Sequence, residues 1–342
     1  MSSISLAGRS NDHLDHLDGW RGLAIATLLV GHFFPLPGIN LGTVGVNMFF
    51  VLSGLLMGGL LFEKNEQISR FYRRRVARIV PAHVVFILLI VVYYALSGKS
   101  MNGAEVISAL LFLNNYIEPA GGPGTALMPF GHIWSLSVEE HSYIALSLVA
   151  IGSRRGYFSS AAGVGALLFC SMAFALYYQW LNPPDLAFSE WLHTEVAAFG
   201  ILAAAIWAAL GRPWPSGVTL SWLCPALLVL GVLAHWWSVP LAIQRLVGVG
   251  CFVLAICSLS VARGWFARVL SIRPLRQLGV WSYSLYLWQQ PFYLWMHSDE
   301  SVSAVEALAL AMVCGLISYY FVERPARSVL NSHCQPNPAK PG

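Results

Sequence analysis

Charged residues are scarce in this sequence. Asp, Glu, Lys and Arg make up 11% of the 342 residues, whereas 57% of the residues are hydrophobic. That balance excludes an ordinary soluble globular domain, in which about 25% of residues are charged. The net charge of +4 is too small to indicate nucleic-acid binding, and basic loops facing anionic lipid explain it better. The composition therefore predicts a polytopic membrane protein.

Paired cysteines and a secretion signal are missing as well. The six cysteines form no C-x-x-C motif, and five of them lie in apolar segments. We therefore expect no zinc site or other metal site, and no disulfide framework. The first sixteen residues are polar and lack the apolar region and cleavage site of a signal peptide, so we expect the N-terminus to stay in the cytoplasm.

Long apolar runs are what the sequence has instead. A helix of about 20 apolar residues crosses the hydrocarbon core of a bilayer, and ten runs approach that length. The fold class expected is therefore all-α, a polytopic integral membrane bundle of about ten transmembrane helices. The predicted spans are 18–35, 43–62, 77–97, 131–151, 158–180, 192–210, 217–237, 242–262, 277–297 and 302–322.

The distribution of basic residues predicts the orientation of these spans. If the N-terminus is cytoplasmic, only Lys99 and Arg245 of the 20 Lys and Arg residues fall outside, as the positive-inside rule requires. We therefore expect a multi-pass protein of the inner (cytoplasmic) cell membrane with both termini inside. Residues 1–328 are predicted to form one transmembrane domain and 329–342 a disordered cytoplasmic tail, while the glycine-rich external connection 98–130 is a candidate lid.

Ionisable residues inside spans need an explanation, because each costs on the order of 2.5–3.5 kcal/mol at mid-span. Arg21 and His32 in the first span are eleven residues apart, so they lie close to one helix face, about 16 Å from each other. Such a helix could hold an anion at the inner surface and present a proton-transfer group deeper in the membrane. Alternatively, Arg21 reaches lipid phosphate and His32 hydrogen-bonds a carbonyl group.

Two further groups of polar residues lie in the third and fourth spans. Arg75 and Arg78 share a face at the cytoplasmic end of the third span, where guanidinium groups suit bidentate phosphate binding, although plain anchoring also explains them. The fourth span begins "HIWSLSVEEH" and carries Glu139 among its apolar residues. A carboxylate there could relay protons or orient a histidine, or it could belong to a satisfied internal network.

Six segments together resemble the membrane-bound acyltransferase type 3 family, whose members O-acylate surface polysaccharides and some secreted small molecules. The segments follow the order found in that family and cover nearly the whole chain. They are "LDGWRGLAIATLLVGHF", "GVNMFFVLSGLL", "RRRVARIVP", "HIWSLSVEE", "WSYSLYLWQQP" and "FVERPARS".

The resemblance implies ten spans with cytoplasmic ends, an acyl-CoA donor bound from the cytoplasm, and a hydroxyl acceptor near the outer face. It assigns the family's Arg–His pair to Arg21 and His32 and its paired arginines to Arg75 and Arg78. Cofactor binding is thus expected at the three arginines, with His32 and Glu139 as catalytic residues. The family's tryptophan–serine–leucine–glutamate motif falls on Trp134, Ser135, Leu136 and Glu139.

The chain departs from the family pattern at four positions. Asn47 stands where Asp is frequent and Gln289 where His is frequent, and neither change is expected to remove a group that the mechanism requires. Ser142 and His83 replace aromatic residues, which indicates a different acceptor or acyl pocket. Without an esterase-like domain after the last span, the chain is expected to finish the transfer itself or to pass its acyl group to a partner.

The predicted function is transfer of an acyl group, with acetyl favoured, from acyl-CoA to a hydroxyl of a surface polysaccharide or lipid-linked glycan. Acylation of a secondary metabolite such as a macrolide, a proton-coupled transporter and a non-catalytic scaffold are the alternatives. The expected partners are membrane lipid, acyl-CoA and the hydroxyl acceptor, with no nucleic acid. The sequence leaves open the acyl group, the acceptor, the oligomeric state and whether an acyl-enzyme forms.

Overall fold

The computed structural model describes residues 7–117, 128–181, 191–211, 222–259 and 265–332. Regular structure in these ranges is helical, apart from one isolated bridge between Ile39 and Trp236. The α-helices are α1 (Ala7–Phe33), α2 (Leu41–Gly58), α3 (Ile68–Leu96), α4 (Gly103–Leu110), α5 (Trp134–Arg154), α6 (Ser160–Leu181), α7 (Thr194–Ala197), α8 (Phe199–Ala209), α9 (Leu223–Leu233), α10 (Leu241–Ile243), α11 (Val249–Leu259), α12 (Trp265–Leu270), α13 (Arg273–Ser298), α14 (Ala304–Ser318) and α15 (Arg324–Ser332).

Five helical segments in the described ranges are long and apolar enough to cross a membrane, which confirms an all-helical multi-pass membrane protein. The other five predicted spans overlap helices that miss that standard: α1, α5 and α13 are long but too polar, and α8 and α9 are 11 residues each. The five that meet it are Leu41–Glu63, Ile68–Leu96, Ser160–Trp180, Leu241–Leu259 and Ala304–Leu330.

The candidate site is built around α1, which packs against α2 on one side and α13 on another. Glycines allow these close approaches: a Cβ at Gly22 would collide with the backbone of α13, and a Cβ at Gly45 would lie 2.6 Å from the Ala24 carbonyl oxygen. Trp20 is fully buried and donates its indole N–H to the Met48 carbonyl at 2.9 Å. The turn of α1 that carries Arg21 is therefore held against both neighbouring helices.

Small residues on α2 also bring α8 close. A Cβ at Gly54 would strike the Ile201 carbonyl, and a Cβ at Gly58 would lie 2.9 Å from the Cα of Ala205. A Cβ at Gly59, by contrast, would meet nothing nearer than 3.8 Å, the Glu63 carboxylate. Close contact between the two helices is thus present at the first two of these positions.

Within the described ranges, three π-helical segments extend α-helices: Gly59–Glu63 after α2, Gln244–Gly248 before α11 and Tyr319–Glu323 between α14 and α15. Insertions of this kind often accompany functional sites. α15 continues to Ser332, inside the predicted tail, whose remaining residues 333–342 lie outside the described ranges. The central part of the predicted lid, 118–127, also lies outside them.

Candidate functional site

A narrow cavity of about 90 Å³ contains the three arginines singled out in the sequence. Its wall also includes Glu139, so the structure brings together four of the five predicted site residues. His32 is not among the residues that line it. The polar lining consists of Arg21, Ser53, Arg75, Arg78, Ser135, Glu139, Tyr143, Ser282, Tyr283 and Tyr286.

Arg75 is tied to carboxylates. Its NH2 group donates to Glu139 Oε2 at 3.0 Å and its Nε to Glu140 Oε1 at 2.8 Å, and its guanidinium carbon lies 3.5 Å above the Tyr143 ring. Ser53 donates to the second Glu139 oxygen at 2.8 Å. Arg75 is therefore neutralised within the protein, and the buried fork that could bind a phosphate already binds two carboxylates.

Arg78 has a different environment although it is only one turn away. No hydrogen bond or ion pair joins it to any described residue, and it lines both the narrow cavity and a second, more polar cavity. Arg21, which pairs with Asp18 at 2.7 Å, lines both as well. The paired arginines predicted from the sequence are thus not equivalent: Arg75 is bonded to two carboxylates, whereas Arg78, among the described residues, has only the electrostatic attraction of the nearby Glu323.

The second cavity is a cationic mouth at the Arg21 end of α1. Four arginines face it and Asp18 is its only acidic lining residue among those described. It connects α1, α3, α13 and the last helices of the chain. We call this set of lining residues the arginine mouth: Asp18, Arg21, Arg78, Gly279, Val280, Tyr319, Arg324 and Arg327.

His32 lies at the other end of α1 and contacts a different set of residues. Its Nδ1 lies 2.7 Å from Gln289 Oε1, its ring is 4.8 Å from the Tyr293 ring, and Nε2 points at Gly42, 2.7 Å from the position of a Cβ there. Because an amide oxygen only accepts, Nδ1 is the donor. Nε2 is consequently the basic nitrogen of the neutral ring.

The narrow cavity ends one helical turn short of His32. Val46 on α2 and Tyr286 on α13 both line it, and Gly42 and Gln289, which contact His32, lie four and three residues further along the same helices. That offset corresponds to about 4.5–6 Å of helix. The arginine mouth, the narrow cavity and the histidine thus follow one another along α1.

Glu139 does not contact His32. Its hydrogen bonds within the described residues go to Ser53, Arg75 and Tyr143, so the expectation that it orients His32 finds no support in this geometry, and Gln289 fills that position instead. The reason lies in helix direction, because Glu139 faces α2 and α3 whereas His32 faces α13.

Three histidines in the predicted third and fourth spans make separate contacts. His141 bonds Thr194 Oγ1 through Nδ1 at 2.8 Å, and His83 donates to the Ala109 carbonyl at 2.9 Å while stacking on Phe112. The His132 ring is buried beside Phe86 without a hydrogen bond of good geometry on either nitrogen. These residues do not form one network with Glu139.

The motif around Trp134 joins α5 to its neighbours. Trp134 packs edge-on against Phe50 of α2, with ring centroids 5.9 Å apart. Ser135 Oγ lies 2.6 Å from the hydroxyl of Tyr286, which donates to the His132 carbonyl at the same distance. The motif therefore fixes the wall of the narrow cavity.

The sequence analysis assigned no role to three residues that contact His32 or line the arginine mouth. Gln289 was noted only as a departure from the family pattern, and Arg324 and Arg327 only as letters of a motif. The arginines could have been found from their charge next to an apolar segment. A neutral glutamine gives no comparable signal.

Comparison with known proteins gives consistent matches. A family model described as an acyltransferase domain matches residues 14–322. The peptidoglycan O-acetyltransferase OatA of Listeria monocytogenes is 26% identical over 93% of this chain and 56% of its own length. The O-acetyltransferase OatA of Staphylococcus aureus is 24% identical over 92% of this chain and 57% of its own length.

A third relative matches over most of both chains. BcsY of Komagataeibacter xylinus, whose name describes a membrane-bound transacylase, is 30% identical over 90% of this chain and 81% of its own length. The chain spans little more than half the length of the two O-acetyltransferases. No solved structure matches it.

Proposed function

Because the chain belongs to the family of membrane-bound type 3 acyltransferases, we propose that it is an O-acyltransferase. It takes an acyl group, with acetyl favoured, from cytoplasmic acyl-CoA and transfers it to a hydroxyl of a surface polysaccharide or lipid-linked glycan. The observation that carries this proposal is the order along α1: a cationic mouth, a narrow cavity, then a histidine with a free basic nitrogen.

The donor enters by the arginine mouth. CoA carries several phosphate charges, and guanidinium groups bind phosphate with paired hydrogen bonds. Arg78, Arg324 and Arg327 lie where those charges would bind, together with Arg21. Arg75 contributes to donor binding as part of the wall of the narrow cavity, which takes the uncharged pantetheine arm. The rise of about 16 Å from Arg21 to His32 is of the order of that arm's length.

His32 is the general base of the proposed reaction. Its Nε2 accepts the proton of the acceptor hydroxyl, the oxygen attacks the thioester carbon, the C–S bond breaks, and the CoA sulfur leaves with the electron pair and is then protonated. Gln289 holds Nδ1–H so that Nε2 presents its lone pair. Attack by Nε2 itself, giving a transient acyl-histidine, uses the same geometry.

Glu139 acts on the donor side in this proposal. Its carboxylate holds Arg75 in place and accepts from Ser53 and Tyr143, so it fixes the wall along which the pantetheine arm would lie. It is thus a positioning residue for the narrow cavity. Removal of the carboxylate would leave Arg75 paired with Glu140 alone, and the hydroxyls of Ser53 and Tyr143 without their acceptor, at a cost of about 1–3 kcal/mol for each buried group left without a partner.

The membrane arrangement is part of the proposal. The ten helical segments predicted as spans cross the inner membrane within residues 1–328, with both termini in the cytoplasm. The basic residues support this orientation, because Arg21, Arg78 and the arginines of α15 gather at one end of the bundle. A polar helix such as α13 can cross when its polar residues face other helices.

Transfer of labelled acetyl from acetyl-CoA, added to the cytoplasmic side of membrane vesicles, tests the function. We expect label on an extracted glycan with the wild type and none with His32→Ala at equal protein level. His193→Ala is the matched control, because that histidine pairs with Glu195 away from the cavities. Equal labelling by His32→Ala would show that His32 is not a catalytic residue. Solute flux that does not depend on acyl-CoA would favour a transporter.

A further inference from the structure

A third cavity lies at the opposite end of the α1–α2 hairpin from the arginine mouth. It has a volume of about 280 Å³, and none of the described residues that line it is acidic. Polar side chains from α2 and from the segment before α11 form most of its wall. They include Asn40, Thr43, Asn47, His235, Gln244 and Arg245.

Arg245 is the unusual member of this wall. Its side chain is 97% buried (3% exposed), and its nearest polar partners are neutral: NH1 donates to Asn47 Oδ1 at 3.0 Å and NH2 to the Trp191 carbonyl at 3.2 Å. No carboxylate pairs with it among the described residues. A buried cation is costly unless a counter-charge is present, so the part of the cavity wall that the structure describes holds a positive charge without a partner.

The described neighbours of Arg245 are linked by hydrogen bonds that leave each of them neutral, so they do not compensate its charge. Asn47 accepts from Arg245 and donates through Nδ2 to His235 Nε2 at 2.9 Å, and His235 donates through Nδ1 to the Gly231 carbonyl at 2.7 Å. Every donor in this chain of hydrogen bonds points the same way, which requires a neutral His235. An aspartate at position 47 would neutralise Arg245, whereas the asparagine present does not.

The cavity adjoins the reactive histidine. A Cβ on Gly42 would lie 2.7 Å from His32 Nε2 and 3.3 Å from Asn40 Oδ1, so these two atoms are at most 6.0 Å apart. Asn40 caps the N-terminus of α2 by accepting from the Thr43 N–H at 3.0 Å. The helix dipole therefore adds positive potential to that of Arg245 on the same side of His32.

We propose that this cavity binds the acceptor, and that the acceptor is a glycan unit carrying a carboxylate or phosphate held by Arg245. The inference rests on the proposed acyltransferase function and adds the acceptor class to it. The exposed indole of Trp237, at the edge of the cavity, gives a flat apolar surface for a sugar ring. The anion on Arg245 then orients a nearby sugar hydroxyl towards His32 Nε2.

Direct binding to the full chain in nanodiscs of neutral lipid tests the proposal. The probes are methyl glucuronide and its uncharged counterpart methyl glucoside, titrated by saturation-transfer NMR. We expect the charged probe to bind at least tenfold more tightly. Asn47→Asp, which preserves the shape of the side chain, and Arg245→Gln should each abolish that preference. Equal binding of both probes to the wild type, or full preference in Asn47→Asp, overturns it.

A pair of tryptophan variants tests whether the sugar binds at the wall of this cavity. Trp237 and Trp222 are both 67% exposed, but only Trp237 lines this cavity. Trp237→Ala should weaken both probes several-fold and Trp222→Ala neither. An equal effect of the two substitutions would contradict sugar binding at this place.

Two further measurements identify the source of the anion and distinguish failure of this proposal from failure of the proposed acyltransferase function. If phosphatidylglycerol in the nanodisc displaces methyl glucuronide, and Asn47→Asp prevents this, a lipid headgroup occupies the cavity and the acceptor assignment is wrong. CoA binding is measured in the same sample. Charge-selective sugar binding without any CoA binding would refute the proposed transfer from acyl-CoA and leave the anion preference of the cavity intact.

Discussion

Gln289 is the residue on which the orientation of His32 depends. Its amide oxygen, 2.7 Å from Nδ1, holds the ring so that Nε2 faces Gly42. In Gln289→Leu the ring loses that acceptor, and we expect kcat for acyl transfer to fall about 10- to 100-fold, the range found for groups that orient metal-bound histidines. KM for acyl-CoA should stay unchanged, because the arginine mouth is about 16 Å away.

The matching substitution Gln289→His supplies a ring nitrogen that can also accept, so it should recover part of the activity. Steady-state kinetics on reconstituted protein separate kcat from KM. A Gln289→Leu enzyme with normal kcat would show that His32 needs no orienting partner.

Gly42 limits the space around the basic nitrogen. A Cβ there would lie 2.7 Å from Nε2 of His32, and the ring is fixed on its other side by Gln289 and Tyr293. We expect Gly42→Ala to displace the ring and reduce transfer at least tenfold, while overpacking costs about 1–3 kcal/mol of stability. Activity and thermal unfolding of the same preparation provide the comparison, and undiminished activity would mean that the ring can move freely.

The sequence identifies charged members of the site better than neutral ones. Arg21, Arg78 and His32 stand out because ionisable groups in apolar segments are costly. Gln289 contacts His32 across 257 positions of sequence, and an amide in a span gives no equivalent signal. The sequence also does not show that Arg75 is bonded to carboxylates and Arg78 is not, because this depends on where α5 places its glutamates.

The contact between α2 and α8 depends on glycine. A Cβ at Gly54 would overlap the Ile201 carbonyl of α8, whereas one at Gly103 in α4 would meet nothing within 4 Å. Gly54→Ala should therefore lower the thermal midpoint by several degrees, the result of about 1–3 kcal/mol of overpacking, and Gly103→Ala should leave it unchanged. Thermal unfolding in one detergent compares them, and equal midpoints would refute the tight contact.

The last helix, α15, brings two arginines to the mouth. If Arg324 and Arg327 hold CoA phosphates, replacing both by Ala should raise KM for acetyl-CoA at least tenfold, because one charged hydrogen bond contributes about 1.5–3 kcal/mol. S-acetyl-pantetheine, which lacks the nucleotide, should react equally well with the wild type and the variant. A loss of similar size for both donors would indicate damage to the fold instead of lost phosphate contacts.

Hydropathy locates helices well and their ends poorly. The predicted 43–62 and 158–180 agree closely with Leu41–Glu63 and Ser160–Trp180. The predicted 192–210, however, holds a short α7, a break at Ala198 and an 11-residue α8, because an average over a window cannot detect one residue that interrupts a helix. α1 begins eleven residues before its predicted span, since its first turns are polar.

The orientation of the whole molecule is open to a direct test. Lys99 and Arg268 are both exposed in the structure and belong to connections predicted to lie on opposite sides of the membrane. With the native cysteines replaced, Lys99→Cys should react with an impermeant maleimide in intact cells, and Arg268→Cys only after the membrane is opened. Labelling of both residues in intact cells would contradict the positive-inside assignment.

The two cavities at opposite ends of the α1–α2 hairpin would, with the proposed substrates, distinguish this enzyme from a transporter. In the proposed reaction each substrate binds in its own cavity, and only the three heavy atoms of an acetyl group pass from one to the other, already attached to the pantetheine arm. Such a protein needs no alternation between inward-open and outward-open shapes, and no ion gradient to drive it. If the donor is a thioester, as proposed, its group-transfer potential is the driving force, and the acyl group is transferred at one fixed position between the two cavities.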